Sequence, residues 1–277
     1  MTWLSGCHCS LFSSTGPCAP ARKWSVWVLK FCIKLAGVVV EIRCRYSYIW
    51  QMCEGYRVEE APAFAVCASA DEIETERASM PAASLGYCES LCIYRAICCR
   101  MPQYGAFLMH AAVVAVDGEA YIFAAPSGTG KTTHIRLWLD LFGDRAQVVN
   151  GDKPLIRVEK EGVYACGTPW QGKERLGCNI MLPVRGVCFL EQSPQNSIRR
   201  LTMSEAGRRI FQQVLIPKKE PCFDCFWTLL ERMMTTVDFY LLQCNREPAA
   251  AQLSYETMRR KQDAENQKGV FAASSGG

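Results

Sequence analysis

Ala125-Pro126-Ser127-Gly128-Thr129-Gly130-Lys131-Thr132 stands between an apolar run, Ala120-Tyr-Ile-Phe-Ala124, and a segment in which Ile135, Leu137, Trp138, Leu141 and Phe142 recur at roughly helical spacing. A strand, a glycine-rich loop, a Lys-Thr pair and a helix, in that order, read as a phosphate-binding loop. Gly128 and Gly130 let the backbone curl so that successive N–H groups face one anion. The helix that follows turns the positive end of its dipole to the same point. Lys131, expected to be exposed on the loop, brings a mobile charge to the β and γ phosphates, and Thr132 offers a hydroxyl to Mg2+. Ser127, Gly128, Thr129, Gly130, Lys131, Thr132 and Thr133 together form the expected ATP cradle. Ala125 stands where such loops usually open with glycine, and a small residue still fits the bend. Gly143 supplies the helix stop.

Two further stretches carry chemistry-bearing residues. Asn150-Gly-Asp-Lys153 follows the short strand Gln147-Val-Val-Asn150, about twenty residues beyond the loop. A nucleotide enzyme needs a carboxylate near its metal, and Asp152 is placed to supply it alongside Thr132; Asn-Gly-Asp is also good turn chemistry. Gly167-Thr-Pro-Trp-Gln-Gly-Lys-Glu174 comes after another strand. There Lys173 can reach phosphate and Glu174 can act as a base, while Trp170 can equally be a cap on the core. His110, on an apolar stretch before the loop, is a site candidate, although a lone His on a strand is usually structural. His134, in the first turn after the loop, faces either phosphate and ribose or solvent.

Composition bounds the rest. The chain has 277 residues, 21% of them charged, with a net charge of +4 spread along its length. That argues against a nucleic-acid partner. Its best apolar run, Trp24 to Val40, is interrupted by Lys30 and Lys34, which argues against a membrane span. The 17 cysteines are odd in number and irregular in spacing. With a nucleotide loop present they read as free thiols of a reducing, cytoplasmic compartment, many of them small apolar core residues. Cys222-Phe-Asp-Cys225 lacks a second pair at zinc-ligand spacing and reads as packing. Leu4-Ser-Gly-Cys7 imitates a lipoprotein cleavage box but has no apolar core before it.

Four regions are expected: a disordered tail over 1–23, a small α+β module over 24–103, a nucleotide-binding domain over 104–262 and a second tail over 263–277. In the module, Phe31 to Cys44 suggests strands, Tyr48 to Tyr56 a helix, Ala63 to Cys67 a strand, and Asp71 to Ser79 and Tyr87 to Arg100 helices. In the domain, Phe107 to Val116 and Ala120 to Ala124 read as a hairpin turning at Asp117-Gly118. Strands then follow at Pro154 to Val158, Gly162 to Cys166, Val187 to Glu191 and Val237 to Cys244, with a helix from Pro248. So many β segments around one phosphate loop predict a mixed α/β, α+β-like sheet rather than plain βαβ alternation.

Over about residues 105 to 200 the chain resembles the kinase domain shared by HPr serine kinase/phosphorylases and ATP-dependent phosphoenolpyruvate carboxykinases. The resemblance rests on Met109-His110, Ser127-Gly-Thr-Gly-Lys-Thr132, Asn150-Gly-Asp152 and Gly167-Thr-Pro-Trp170. Uncharacterised bacterial proteins of this superfamily look more similar still, with a leading α+β segment and a terminal strand and helix. The resemblance implies a carboxykinase-like core that binds ATP and Mg2+, with Lys131 on the β and γ phosphates and Thr132 and Asp152 at the metal. It implies a catalytic set of Lys131, Asp152 and His110, with a carboxylate accepting the proton of a substrate serine. The family usually carries two adjacent acids at the second element. This chain has Gly151-Asp152, so Glu174 is the candidate to replace the missing base. The activity implied is an ATP-dependent kinase acting on a hydroxyl, a Ser of a small protein or peptide; self-association stays open. A non-catalytic nucleotide-binding regulator and a small-molecule kinase are the alternatives.

Overall fold

The computed structural model describes residues 29–259. The expectations for the two tails, and for Leu4-Ser-Gly-Cys7, lie outside the described residues. Two compact units are parted between Arg100 and Met101.

In the first unit, β1 (Leu29–Leu35) and β2 (Val38–Cys44) form a hairpin turned by Ala36 and Gly37, whose φ angles are 47° and 79°. Two consecutive positive φ angles match the right-handed twist of the flanking strands. α1 (Ser47–Met52), β3 (Arg57–Val58), β4 (Phe64–Cys67), α2 (Ala70–Ser79) and α3 (Leu85–Arg100) complete the unit, and the sheet order is β3-β1-β2-β4. The helix expected over Tyr48 to Tyr56 ends at Met52, and a 3-10 turn follows over Glu54–Tyr56. Gly55, a poor helix former, lies in that turn. Glu89 of α3 is buried, and its carboxylate accepts the N–H groups of Arg45 (2.7 Å) and Tyr46 (3.1 Å). It thus caps the start of α1, where Tyr46 provides no side-chain cap. Burial pushes the Glu89 pKa up, against the pull of those two bonds.

The second unit runs β5 (Ala106–Leu108), β6 (Ala112–Val116), β7 (Glu119–Ala124), α4 (Lys131–Phe142), β8 (Ala146–Asn150), β9 (Leu155–Val158), β10 (Val163–Cys166), β11 (Met181–Gln192), β12 (Ser197–Arg200), α5 (Met203–Ile210), α6 (Cys222–Thr236), β13 (Phe239–Cys244) and α7 (Pro248–Arg259). The sheet order is β5-β9-β10-β11-β7-β6-β8, with β13 pairing β11 and β12. β7, β11 and β13 are mutually parallel neighbours; the other pairings are antiparallel. The fold is mixed α/β.

Alternation along β6 and β7 builds a core on each face of this sheet. Val113, Ala115, Ala120 and Ile122 join Ile210 of α5 and Phe226 and Leu230 of α6. Val114, Tyr121 and Phe123 join Ile135 and Trp138 of α4 and Ala251 and Met258 of α7. With both faces covered, these strands read as continuous apolar runs rather than alternating ones. Trp138 is fully buried against Tyr121 and Tyr255, so truncating it to Ala would cost about 3–5 kcal/mol.

The structure departs from the expected hairpin at one point. Phe107 to Val116 is not one strand: it breaks at Met109–Ala111, β5 pairing with β9 while β6 pairs with β7 and β8. β12 and α5 were not anticipated. α5 opens with a capping box in which Thr202 and Glu205 satisfy each other's backbone N–H groups, and Thr-x-x-Glu is the sequence signal that would have found it. Cys222 and Cys225 lie in the first turn of α6, and no group of three or more His, Cys, Asp or Glu placed to hold a metal ion occurs among the described residues. No described helix is long and apolar enough to cross a membrane.

Candidate functional site

The glycine-rich loop connects β7 to α4 as its spacing predicts. Gly128 and Gly130 have φ angles of 84° and 116°, a region that side chains rarely adopt, and Gly130 is the cap from which α4 starts. Helical side chains lean toward the N-terminus, so Lys131, the first helical residue, folds back along the loop. Its Nζ donates to the carbonyls of Ala125 (2.7 Å) and Pro126 (3.5 Å). Lys131 is therefore only 8% exposed, which corrects the expectation of an exposed lysine. Burial lowers its pKa, the Asp152 carboxylate opposes that, and the Lys153 charge adds to it. Thr132 is half-buried and Thr133 exposed. The Gln192 amide donates to the Thr129 carbonyl (3.0 Å) and braces the loop from β11.

Asp152 sits in the turn after β8. Its Oδ1 meets His110 Nε2 at 3.2 Å, and its Oδ2 pairs with Lys153 Nζ. Burial alone would raise its pKa, but the His110 bond and the Lys153 charge outweigh that and hold the carboxyl well below the usual carboxylate range. The turn is fixed by fully buried Asn150, whose Oδ1 accepts from the backbone N–H of Asp152 (2.9 Å) and Lys153 (2.7 Å). Asn150 Nδ2 donates to the Thr168 carbonyl (3.1 Å) and hydroxyl (3.0 Å), and that hydroxyl donates to the Lys153 carbonyl (2.9 Å). The Asn-Gly-Asp and Gly-Thr-Pro-Trp stretches, separate in sequence, are thus one hydrogen-bonded unit.

His110 occupies the strand break. Its neighbours donate to the Asp152 stretch, Met109 N–H to Pro154 O (3.3 Å) and Ala111 N–H to Asp152 O (3.2 Å). His110 N–H itself turns the other way, to Gln213 O (2.6 Å). With its amide oriented to satisfy both neighbours, Gln213 Nε2 donates to His110 O (3.1 Å) and Ala125 O (3.2 Å). Gln213 is buried and ties the histidine to the start of the glycine-rich loop. Nothing in its sequence context marks it.

The remaining candidates lie apart from these contacts. Glu174 is half-exposed and pairs with Arg136 of α4 at 2.6 Å. Lys173 is exposed, while Trp170 is buried, in keeping with its reading as a core cap. His134 faces neither phosphate nor solvent. It is buried against Phe123, and its Nε2 accepts from Trp138 Nε1 (3.1 Å) and lies 3.3 Å from the Ser254 hydroxyl. Burial pushes its pKa down to about 4. Gly151 leaves little room for a second acid: a Cβ there would lie 3.1 Å from Gln171 O and 3.2 Å from Leu176 O.

Beside the first half of the loop lies a pocket of about 650 Å³, into which Ser127, Glu191, Gln192, Arg209, Gln212 and Gln213 contribute. It opens at the carboxyl ends of parallel β7 and β11, where open α/β sheets commonly bind ligands.

A family model described as SynChlorMet cassette protein ScmC matches residues 88–216, a span that contains the glycine-rich loop, Asp152 and Gly167 to Trp170. Among solved structures, the Hpr(Ser) kinase/phosphatase from Coxiella burnetii is similar, with 13% identity and a TM-score of 0.37, over 59% of this chain and 97% of that one. No curated protein matches the chain.

Proposed function

We propose that the chain is an ATP- and Mg2+-dependent phosphotransferase that moves the γ-phosphate to a hydroxyl, a Ser of a small protein or peptide, in a compartment that keeps thiols reduced. The observation that carries this reading is the meeting of a phosphate loop with the Asp152–His110–Lys153 cluster. Asp152 lies close enough to Lys131 to act on its charge. Phosphoryl transfer is almost entirely positioning and charge stabilisation, and these are the groups it uses.

The donor set suits Mg2+. Thr132 and an ionised Asp152 are hard oxygen ligands, and this ion takes its remaining oxygens from phosphates and water. When bound it would neutralise charge between the β and γ phosphates. Lys131, already at the Ala125 end of the loop, would exchange its carbonyl partners for β- and γ-phosphate oxygens. Lys153 offsets the charge of Asp152 and keeps it ionised. With Nε2 donating to Asp152 Oδ1, His110 has Nδ1 left to take the proton of the acceptor hydroxyl, and Asp152 orients the ring as the acid of a catalytic triad does. Glu174, paired with Arg136, is not needed for that step.

One observation favours the non-catalytic alternative: both Asp152 oxygens already have partners, His110 and Lys153. Calorimetry with Mg·ATP, followed by turnover of γ-labelled ATP with and without a Ser-peptide library, separates the readings. Phosphotransfer should be detected, and Asp152→Asn should slow it by about 10²–10⁴-fold. Binding without transfer to any peptide would favour the regulator; no binding at all would remove the phosphate-loop reading.

A further inference from the structure

We infer that the pocket formed by Glu191, Gln192, Arg209, Gln212 and Gln213 beside the loop is the acceptor site, and that it selects an uncharged, amide-bearing hydroxyl compound, a capped peptide segment, over an anionic metabolite. This rests on the phosphotransferase reading.

Three observations place the acceptor there rather than the nucleoside. The first is polarity along the loop. Lys131 marks the γ end, because its ammonium serves the β and γ phosphates, and it sits on the carbonyls of Ala125 and Pro126. Ala125 to Thr129 line the pocket, whereas Thr132 and Thr133, at the helix start, do not. The second is the connection to His110. Gln213 lines the pocket and holds both the His110 backbone and Ala125, so the pocket wall is tied to the strand break that carries the proposed base. The third is the strand end. β11 pairs with β7 only as far as Phe189 opposite Ala124, but pairs with β13 as far as Gln192 opposite Cys244. Leu190 to Gln192 therefore run past β7 along the pocket wall, and an extended peptide can lie along such a strand end.

The charge pattern selects the class of occupant. The wall carries one cation and one anion, and they satisfy each other: Arg209 Nη1 lies 2.9 Å from Glu191 Oε1. An anionic acceptor would have to displace Glu191 and leave it against a second negative charge. The Gln212 side-chain amide, and the oxygen of the Gln192 amide whose nitrogen braces the loop, match the donors and acceptors of a peptide backbone instead. A volume of about 650 Å³ is within the range of small-ligand pockets.

The test uses the whole chain and two probes, Ac-Gly-Ser-Gly-NH2 and glycerate, titrated in the presence of Mg2+ and a non-hydrolysable ATP analogue. The capped peptide should bind, glycerate should bind at least about tenfold more weakly, and nucleotide should not compete with the peptide. Gln212→Leu and Arg209→Met, each removing hydrogen-bonding groups, should weaken the peptide about 2–10-fold with nucleotide affinity unchanged. Gln212 is exposed, so Gln212→Leu disturbs no core packing and keeps the test open should Arg209→Met fail to fold. The inference is overturned if the variants lower nucleotide affinity instead, if peptide and nucleotide exclude each other, if glycerate binds as well as the peptide, or if neither probe binds while the analogue does. Failure of the analogue itself to bind would instead overturn the phosphotransferase reading on which the inference rests.

Discussion

A single lysine shows how burial and function separate. Lys131 lies in the loop as the motif requires, but its ammonium rests on the Ala125 and Pro126 carbonyls with 8% of the residue exposed. Its folded pKa is lowered by burial, so the folded chain holds this proton less tightly than the unfolded one and the charged Lys131 costs stability below its unfolded pKa. Lys131→Met should therefore leave the melting temperature unchanged or raised while weakening Mg·ATP about 10–100-fold, the worth of a hydrogen bond to a charged group; calorimetry and thermal melting check this. His134 gives the opposite lesson. Its position in the first turn was legible, but not which side of α4 it faces, because Phe123, Trp138 and Ser254 come from three different elements. A histidine whose pKa falls from 6.5 to about 4 favours folding only while neutral. That contribution is whole above the unfolded pKa and is lost as pH falls from about 6.5 toward 4, roughly 3 kcal/mol in all. Replacing it by a residue that does not titrate, His134→Gln, should flatten the fall in urea stability over that window; an unchanged slope would mean the histidine is solvated.

At the scale of elements, the strand, loop and helix around Lys131 were legible because three periodicities change within a few residues. The strand break at Met109–Ala111 was not, because Phe107 to Val116 is apolar throughout and only the pairing partners differ. The union of Asn150 with Thr168 was equally hidden, since eighteen residues separate them and each reads locally as turn chemistry. This unit also limits what side chains the site accepts. Gly172 has φ of 77°, and a Cβ there would lie 2.9 Å from the Asp152 Cβ. Gly172→Ala should push Asp152 off His110 and reduce phosphotransfer, with a stability loss of about 1–3 kcal/mol from strain and overpacking. Gly151, by contrast, has no positive φ, yet its Cβ would point at the Gln171 and Leu176 carbonyls. Gly151→Asp should thus lower stability without gaining rate, because a carboxylate set against two carbonyl oxygens is repelled by them. A rate gain in a folded Gly151→Asp protein would show that an acid at this position does reach the acceptor.

Across the whole molecule the cysteines offer an independent reporter on each unit. Cys44 and Cys53 are buried in the first unit, and Cys166 and Cys188 in the second. Burial pushes the thiols of Cys44 and Cys166 up to about 12, and those of Cys53 and Cys188 upward as well. The thiolate is the reactive form, so at pH 8 these four sites are protected twice, by exclusion of reagent and by a scarce thiolate. In the native protein they should alkylate at least about 100-fold more slowly than a free cysteine, whose pKa is about 8.5. Protection is lost only when the surrounding core opens, so the urea dependence of labelling reports the stability of the unit that holds each pair. Cys44 should track Cys53, and Cys166 should track Cys188. The two pairs lie in units with separate cores, so their midpoints are free to differ; mass spectrometry of iodoacetamide-treated protein across a urea series reads all four positions together. Labelling of Cys166 well before Cys188 would mean that β10 opens without β11, which contradicts cooperative opening of the second unit.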